Sequence, residues 1–302
     1  MSILAIFLIL ISAILHAGWN LVSKKEVPTT SYFFLAHFFG SLMLLPMVLI
    51  HWRIYFIFPP MVWGYAMLSG FFLTIYLSSL AKAFRSGDLS IAYPLIRSIP
   101  IVFVALFSFL TGSGDKISTQ GLSGMVLIII GCFLLPITQI KKLRIQHYLN
   151  ATIGFAILGA ISTAGYNLAD DQALFYLRSN PQIDLNTFEV TILYFFAEAF
   201  FASTCLFLFI LLTRSGRQDL IHKIRFKKKN TALLGITIYT TYTLALISLA
   251  YVNDVSYVVA FRQLSIPLAA ILGILILKES YYRPKLIGIA TLVVGLFFVG
   301  TG

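Results

Sequence analysis

Apolar runs of about 20 residues recur along this chain, each long enough to cross a hydrocarbon core roughly 30 Å thick as a helix. Inside a bilayer the backbone must satisfy its own hydrogen bonds, so helices are the element expected throughout. Ten spans are read, at residues 3–22, 31–50, 61–84, 89–110, 122–137, 151–169, 188–212, 232–250, 255–277 and 286–300. Composition agrees, with 59% of residues apolar and only 11% charged, where a soluble domain carries about 25% charged residues. The longest polar piece, residues 213–230, is too short to fold around a core of its own. The fold class expected is an all-α integral membrane protein without a soluble catalytic module.

A net charge of +11 would suit a nucleic-acid binder, but its placement points elsewhere. Seventeen of the 22 Lys and Arg residues fall at alternate connections: Lys24 and Lys25, Lys82 and Arg85, residues 141–144, residues 214–229, and residues 278–285. The other connections hold only Arg53, Lys116 and Arg178. By the positive-inside rule the basic connections are cytoplasmic and both termini lie outside, in a cell's inner membrane. The partner implied by this charge is the lipid bilayer, and nucleic acid is not expected. No positive segment precedes Ile3, so the first span is expected to be retained. Cys132 and Cys205 sit inside spans, where thiols behave as small apolar groups, and no disulfide or metal role is assigned to them.

The chain also repeats itself. Ala17-Gly18-Trp19-Asn20-Leu21 returns as Ala164-Gly165-Tyr166-Asn167-Leu168. "YFFLAHFFGS" from Tyr32 lies over "YFFAEAFFAS" from Tyr194 with six of ten positions identical. "DLSIAYPLIR", ending at Arg97, answers "DVSYVVAFR", ending at Arg262, and Gly124 and Gly131 match Gly288 and Gly295. Two units follow, residues 1–146 and 147–302, each of five helices. Five is odd, so the second unit enters the bilayer from the opposite face, giving two inverted five-helix repeats. That architecture lets two bundles rock about a site near the midplane. Shared packing residues are the other account of the aromatic and glycine matches.

The stretches "HAGWNLVSKK" from His16, "GDLSIAYPLIRSIP" from Gly87, and "VSYVVAFRQLSIPLAAILGILILKESYYRPKLIGIATLVVG" from Val255 resemble the drug/metabolite transporter superfamily. The resemblance is specifically to its EamA branch of ten-helix proteins with two EamA repeats, and it covers essentially the whole chain. It implies transport of small metabolites, often amino acids moving outward, without ATP hydrolysis. Relatives elsewhere in the superfamily carry nucleotide sugars, phosphorylated sugars or cationic drugs. One departure is plain: the second copy of the first motif ends in Asp170-Asp171 where the first has Lys24-Lys25.

Arg97 and Arg262 occupy equivalent places in spans four and nine, and an intramembrane Arg usually faces a bundle interior or a wet cavity. Either can hold a substrate carboxylate or phosphate through a bidentate fork, or be tied to helix carbonyls or to Glu198. Gln263 adds a donor and an acceptor beside Arg262. Asn20 and Asn167 suit cargo contact or interhelical hydrogen bonds. Trp19 and Tyr166 suit cavity lining or anchoring at the interface. Tyr93 and Tyr257, with Tyr76, Tyr239 and Tyr242, place hydroxyls where the family fold has its central cavity. Glu198, His37 and His16 are candidates for proton coupling, since an ionisable group inside a membrane marks an ion pathway. Pro94, Pro100 and Pro267 are expected to interrupt spans four and nine.

No phosphate-binding loop, zinc-protease helix or serine-nucleophile elbow is present, so no enzyme is expected, and no cofactor or metal. The reading is a secondary transporter of small polar metabolites. Its rivals are a carrier or flippase of phosphorylated or lipid-linked sugars, and a membrane-embedded enzyme or assembly factor.

Overall fold

The computed structural model describes residues 1–23, 29–86, 89–135, 137, 151–226, 228–276 and 282–302. Every regular element among them is helical. The first half holds α1 (Ile3–Ser23), α2 (Thr30–His51), α3 (Pro60–Ser86), α4 (Leu89–Leu110) and α5 (Thr119–Leu134). The second holds α6 (Ala151–Arg178), α7 (Thr187–Leu211), α8 (Arg214–Phe226), α9 (Lys228–Ser248), α10 (Val255–Phe261), α11 (Ser265–Ile276) and α12 (Arg283–Thr301). Among the described residues, six stretches are long and apolar enough to cross a membrane: Thr30–Phe56, Pro60–Lys82, Thr187–Leu211, Lys229–Tyr251, Val255–Leu272 and Arg283–Thr301. Ile3–Gly18, Ile96–Leu110 and Thr119–Leu134 are shorter apolar helices. The side chains turned outward include Phe7, Leu49, Phe71, Phe107, Leu208 and Phe297, a surface that suits lipid and not water.

Local chemistry sets the helix starts. Thr29, Ser118 and Asp254 accept backbone N–H groups at the first turns of α2, α5 and α10, and Asn186 and Glu189 form a reciprocal capping box on α7. Each cap satisfies a donor that the helix itself leaves unpaired.

Small residues then decide which helices meet. At the α5–α12 contact, a Cβ added to Gly124 would lie 2.6 Å from the carbonyl oxygen of Gly295, and one on Gly131 would lie 2.8 Å from that of Gly288. The four glycines matched in sequence thus face one another in two pairs. A second correspondence was not read from the sequence. A Cβ on Gly70 of α3 would meet the backbone N of Ala202 on α7 at 2.7 Å, and one on Gly235 of α9 would meet the Ala36 carbonyl oxygen of α2 at 2.2 Å. Accordingly α3 packs on α6 and α7, while α9 packs on α1 and α2.

Three segments differ from expectation, and span nine is interrupted as expected. Span six was read as ending at residue 169, but α6 continues to Arg178 and carries Asp170 into the interior. Span nine is broken into α10 and α11 by a 3-10 turn over Arg262–Leu264, just before Pro267, which has no N–H to continue the ladder. Span four, expected to be interrupted by Pro94 and Pro100, runs through both as the single helix α4. The polar stretch 213–230 is not a plain connection, because α8 occupies most of it. The basic connections at 24–25, 141–144, 227 and 278 lie outside the described residues.

Candidate functional site

The two matched arginines come together at the break in span nine. Arg97 donates from Nη2 to Ser265 Oγ at 2.7 Å and to the Arg262 carbonyl at 3.4 Å, an oxygen that also accepts the Ser265 N–H of the 3-10 turn. Ser265 closes the same carbonyl from its own side at 3.1 Å. The Arg97 Nε is buried and has no partner among the described residues. Arg262 donates from Nη1 to Asn167 Oδ1 at 3.3 Å, and its guanidinium carbon stands 5.2 Å from the ring centre of Tyr242, within cation–π range. Asn167 fixes its own amide by donating to the Thr163 carbonyl one turn back at 2.7 Å.

Arg97 and Arg262 line one cavity, together with His16, His37, Tyr166 and Tyr242. Apolar groups such as Phe33 and Leu77 complete its wall, so two cations face a largely apolar space. Tyr76, Tyr166 and Tyr242 form a chain of edge contacts with ring centres 5.9 and 5.8 Å apart. The cavity is narrow, about 60 Å³, enough for a few waters and well below the roughly 300–1,000 Å³ of a pocket holding a drug-sized molecule. A drug-sized molecule would therefore have to move side chains or helices to enter.

Behind this wall lies a carboxyl site. Asp170 is fully buried; Tyr194 donates to its Oδ1 at 2.7 Å and Tyr242 donates to its Oδ2. Glu198, also fully buried, has no hydrogen-bond partner on either oxygen among the described residues. The Ser69 hydroxyl lies close to both carboxyl groups without hydrogen-bond geometry to either. Tyr242 is common to the two regions, its ring toward Arg262 and its hydroxyl on Asp170. His37, also buried, pairs through Nδ1 with the Tyr239 hydroxyl at 3.1 Å, and Tyr239 stacks on Phe195 with ring centres 4.6 Å apart.

Of the residues singled out from the sequence, Arg97, Arg262, Tyr166, His16 and His37 meet at the cavity, with Asn167 one contact behind. Gln263 is buried apart from the lining, its amide donating to the Val259 carbonyl at 2.8 Å. Tyr257 is elsewhere: its hydroxyl accepts from the Ser118 N–H at 2.8 Å, where α5 begins. The side chains of Trp19, Asn20 and Tyr93 lie outside the described residues. Asp170, Ser69 and Tyr194 were not anticipated. Asp170 follows Tyr166 by four residues, a spacing that places both on one helix face, and this was the available signal.

A second, wider space of about 540 Å³ opens at the far end of the bundle from α8. Asp171, Asp254, Lys116 and Arg178 give it both signs of charge. Arg178 is anchored there to Thr191 Oγ1 and the Leu246 carbonyl, each at 3.1 Å.

Residues 3–137 match the profile of the EamA-like transporter family, which bears out the resemblance drawn from the sequence. No curated protein matches the chain. Among 28 solved chains that do match, one crystal structure aligns over 98% of this chain and 98% of its own with a TM-score of 0.66. At 15% identity that likeness concerns the fold alone.

Proposed function

We propose that this chain, whose residues 3–137 match the EamA-like transporter family, is a multi-pass membrane protein of transporter type that works as follows. It is a ten-span secondary transporter of the inner membrane, built from inverted repeats over residues 1–146 and 147–302, with both termini outside the cytoplasm. It exports small polar metabolites such as amino acids by alternating access.

The observation that carries this reading is the convergence of Arg97 and Arg262, one from each repeat, on a single cavity. The reciprocal packing of α3 on α6 and α7, and of α9 on α1 and α2, supports the inverted relation. So do the paired glycines at α5–α12. A cavity with two guanidinium groups in a largely apolar wall suits a carboxylate-bearing molecule with an apolar part. Glu198 and Asp170 are the proposed proton carriers, with His37 and His16 on the cavity side.

The test is an unbiased comparison of metabolites in medium and cytosol of cells expressing the wild type or Arg262→Ala at matched protein levels. A compound exported by the first and retained by the second is the expected result. Identical profiles would refute export through Arg262. The paired arginines also favour a second reading, a carrier of phosphorylated or lipid-linked sugars. Flux of the identified compound into proteoliposomes separates the two by the cargo's own chemistry, and separates both from an enzyme, which would turn substrate over without net movement.

A further inference from the structure

α8 is short and polar where its neighbours are long and apolar, and its two sides differ. At 3.6 residues per turn, Gly216, Asp219, Leu220 and Lys223 fall on one side. That side is fastened to the bundle. Leu220 packs with Leu35 of α2 and Ile210 of α7, Asp219 accepts from Thr29 Oγ1 at 2.6 Å, and Ser31 Oγ donates to the Gly216 carbonyl at 3.3 Å. The Lys223 ammonium stands 5.4 Å from the Tyr32 ring centre. The other side carries Ile221 and Ile224, 66% and 41% exposed, with Arg214, Arg217 and Arg225 around them. Arg217 also donates to the Leu211 carbonyl, fixing the start of α8 against the last turn of α7.

Position decides what can meet this face. α8 begins three residues after the membrane-capable stretch Thr187–Leu211 ends, and finishes three residues before the stretch Lys229–Tyr251 begins. Both ends are thereby held at the boundary between bilayer and water. Two exposed isoleucines ringed by arginines are the composition of a helix that lies in that boundary. Exposed guanidinium groups at headgroup depth match phosphate in geometry and charge.

We propose that α8 is a binding surface for anionic phospholipids, with Ile221 and Ile224 among the upper acyl chains and Arg214, Arg217 and Arg225 on the headgroup phosphates. The surface complements a negatively charged membrane and gives the transporter a preference for anionic lipid on the side of its basic connections.

Native mass spectrometry of the full chain, released from mixed phosphatidylcholine and phosphatidylglycerol, tests the proposal. The wild type is expected to retain phosphatidylglycerol in preference, Arg214→Gln/Arg225→Gln to lose most of that preference, and Arg214→Lys/Arg225→Lys to keep most of it. Arg53→Gln, at the opposite end of the bundle, should behave as the wild type. Equal retention by wild type and the Gln pair would overturn the proposal. A thermal shift produced as strongly by inorganic phosphate as by phosphatidylglycerol vesicles would do the same, since the site would then be for a free anion. A spin label at Ile221→Cys, with Cys205→Ser, gives a readout that leaves the arginines intact. Greater accessibility to oxygen than to an aqueous nickel chelate is expected, and the reverse would place the face in water or against a soluble partner.

Discussion

Tyr242 is the residue at which the two proposed roles meet, because one side chain touches both the cation that faces the cavity and the carboxyl behind it. A fork of guanidinium N–H groups and a ring contact are properties that Lys shares only in part. Arg262→Lys is therefore expected to weaken cargo binding about tenfold, a loss of roughly 1.4 kcal/mol, read as a raised half-saturation concentration in proteoliposome flux. Unchanged affinity would remove bidentate recognition from the mechanism. Glu198 poses a different question, since it is buried without hydrogen-bond partners among the described residues. Glu198→Gln keeps the shape and deletes the titrating proton. The variant should fold with undiminished thermal stability but carry cargo at a rate that no longer follows an imposed pH gradient. Flux that tracks the gradient as in the wild type would take Glu198 out of the proton path. Asp170 shows why this site was half hidden in the sequence. Two successive aspartates after a greasy run read as the membrane's edge, and the hydroxyls of Tyr194 and Tyr242, from two other helices, are what satisfy an interior Asp170 among the described residues.

Among the helices, glycine marks contact where a neighbour crosses closely and only space where none does. Gly235→Val would drive a side chain into the Ala36 carbonyl, and Gly124→Val into that of Gly295. Overpacking of this kind costs about 1–3 kcal/mol, so each variant should show a lowered thermal midpoint in detergent. Gly64 of α3 has no atom within 4 Å of an added Cβ. Gly64→Ala should be neutral or stabilising by about 0.5–1 kcal/mol, because Ala loses less backbone freedom in a helix. Equal destabilisation at all three positions would mean that helix propensity, and not close approach, is being measured. The α5–α12 pairing was legible from the sequence as four matched glycines. The α3–α7 and α2–α9 contacts were not, since Gly70 and Gly235 sit in segments whose sequences otherwise diverge.

For the whole molecule, the proposed ten spans, an even number, put both termini on one side, opposite the basic connections. A periplasmic-active phosphatase fused after Gly302 is expected to be active, and the same enzyme inserted within residues 213–230 to be silent. Activity in the reverse pattern would invert the proposed topology, and activity at both would break the ten-span count. The narrow central cavity and the wider charged space at the far end of the bundle also set an expectation for access. A cysteine replacing Asn253 in the wide space should react with a charged thiol reagent from its own side faster than one replacing Thr241 in the cavity. Addition of transported cargo should change the ratio as the helices move.

The sequence by itself determined that this chain is a helical membrane protein with an internal echo, because the requirement is local. A run of about 20 apolar residues satisfies its own backbone and suits lipid wherever its neighbours are. Matched motifs in the two halves also brought Arg97, Arg262 and the α5 and α12 glycines to notice without any coordinates. Tertiary structure alone decided which polar group meets which. That Arg97 closes on Ser265, that Tyr242 joins Arg262 to Asp170, and that α8 turns two isoleucines and three arginines outward all depend on partners from distant segments. Inside a membrane such partners are few, and helix packing selects them; hydropathy does not.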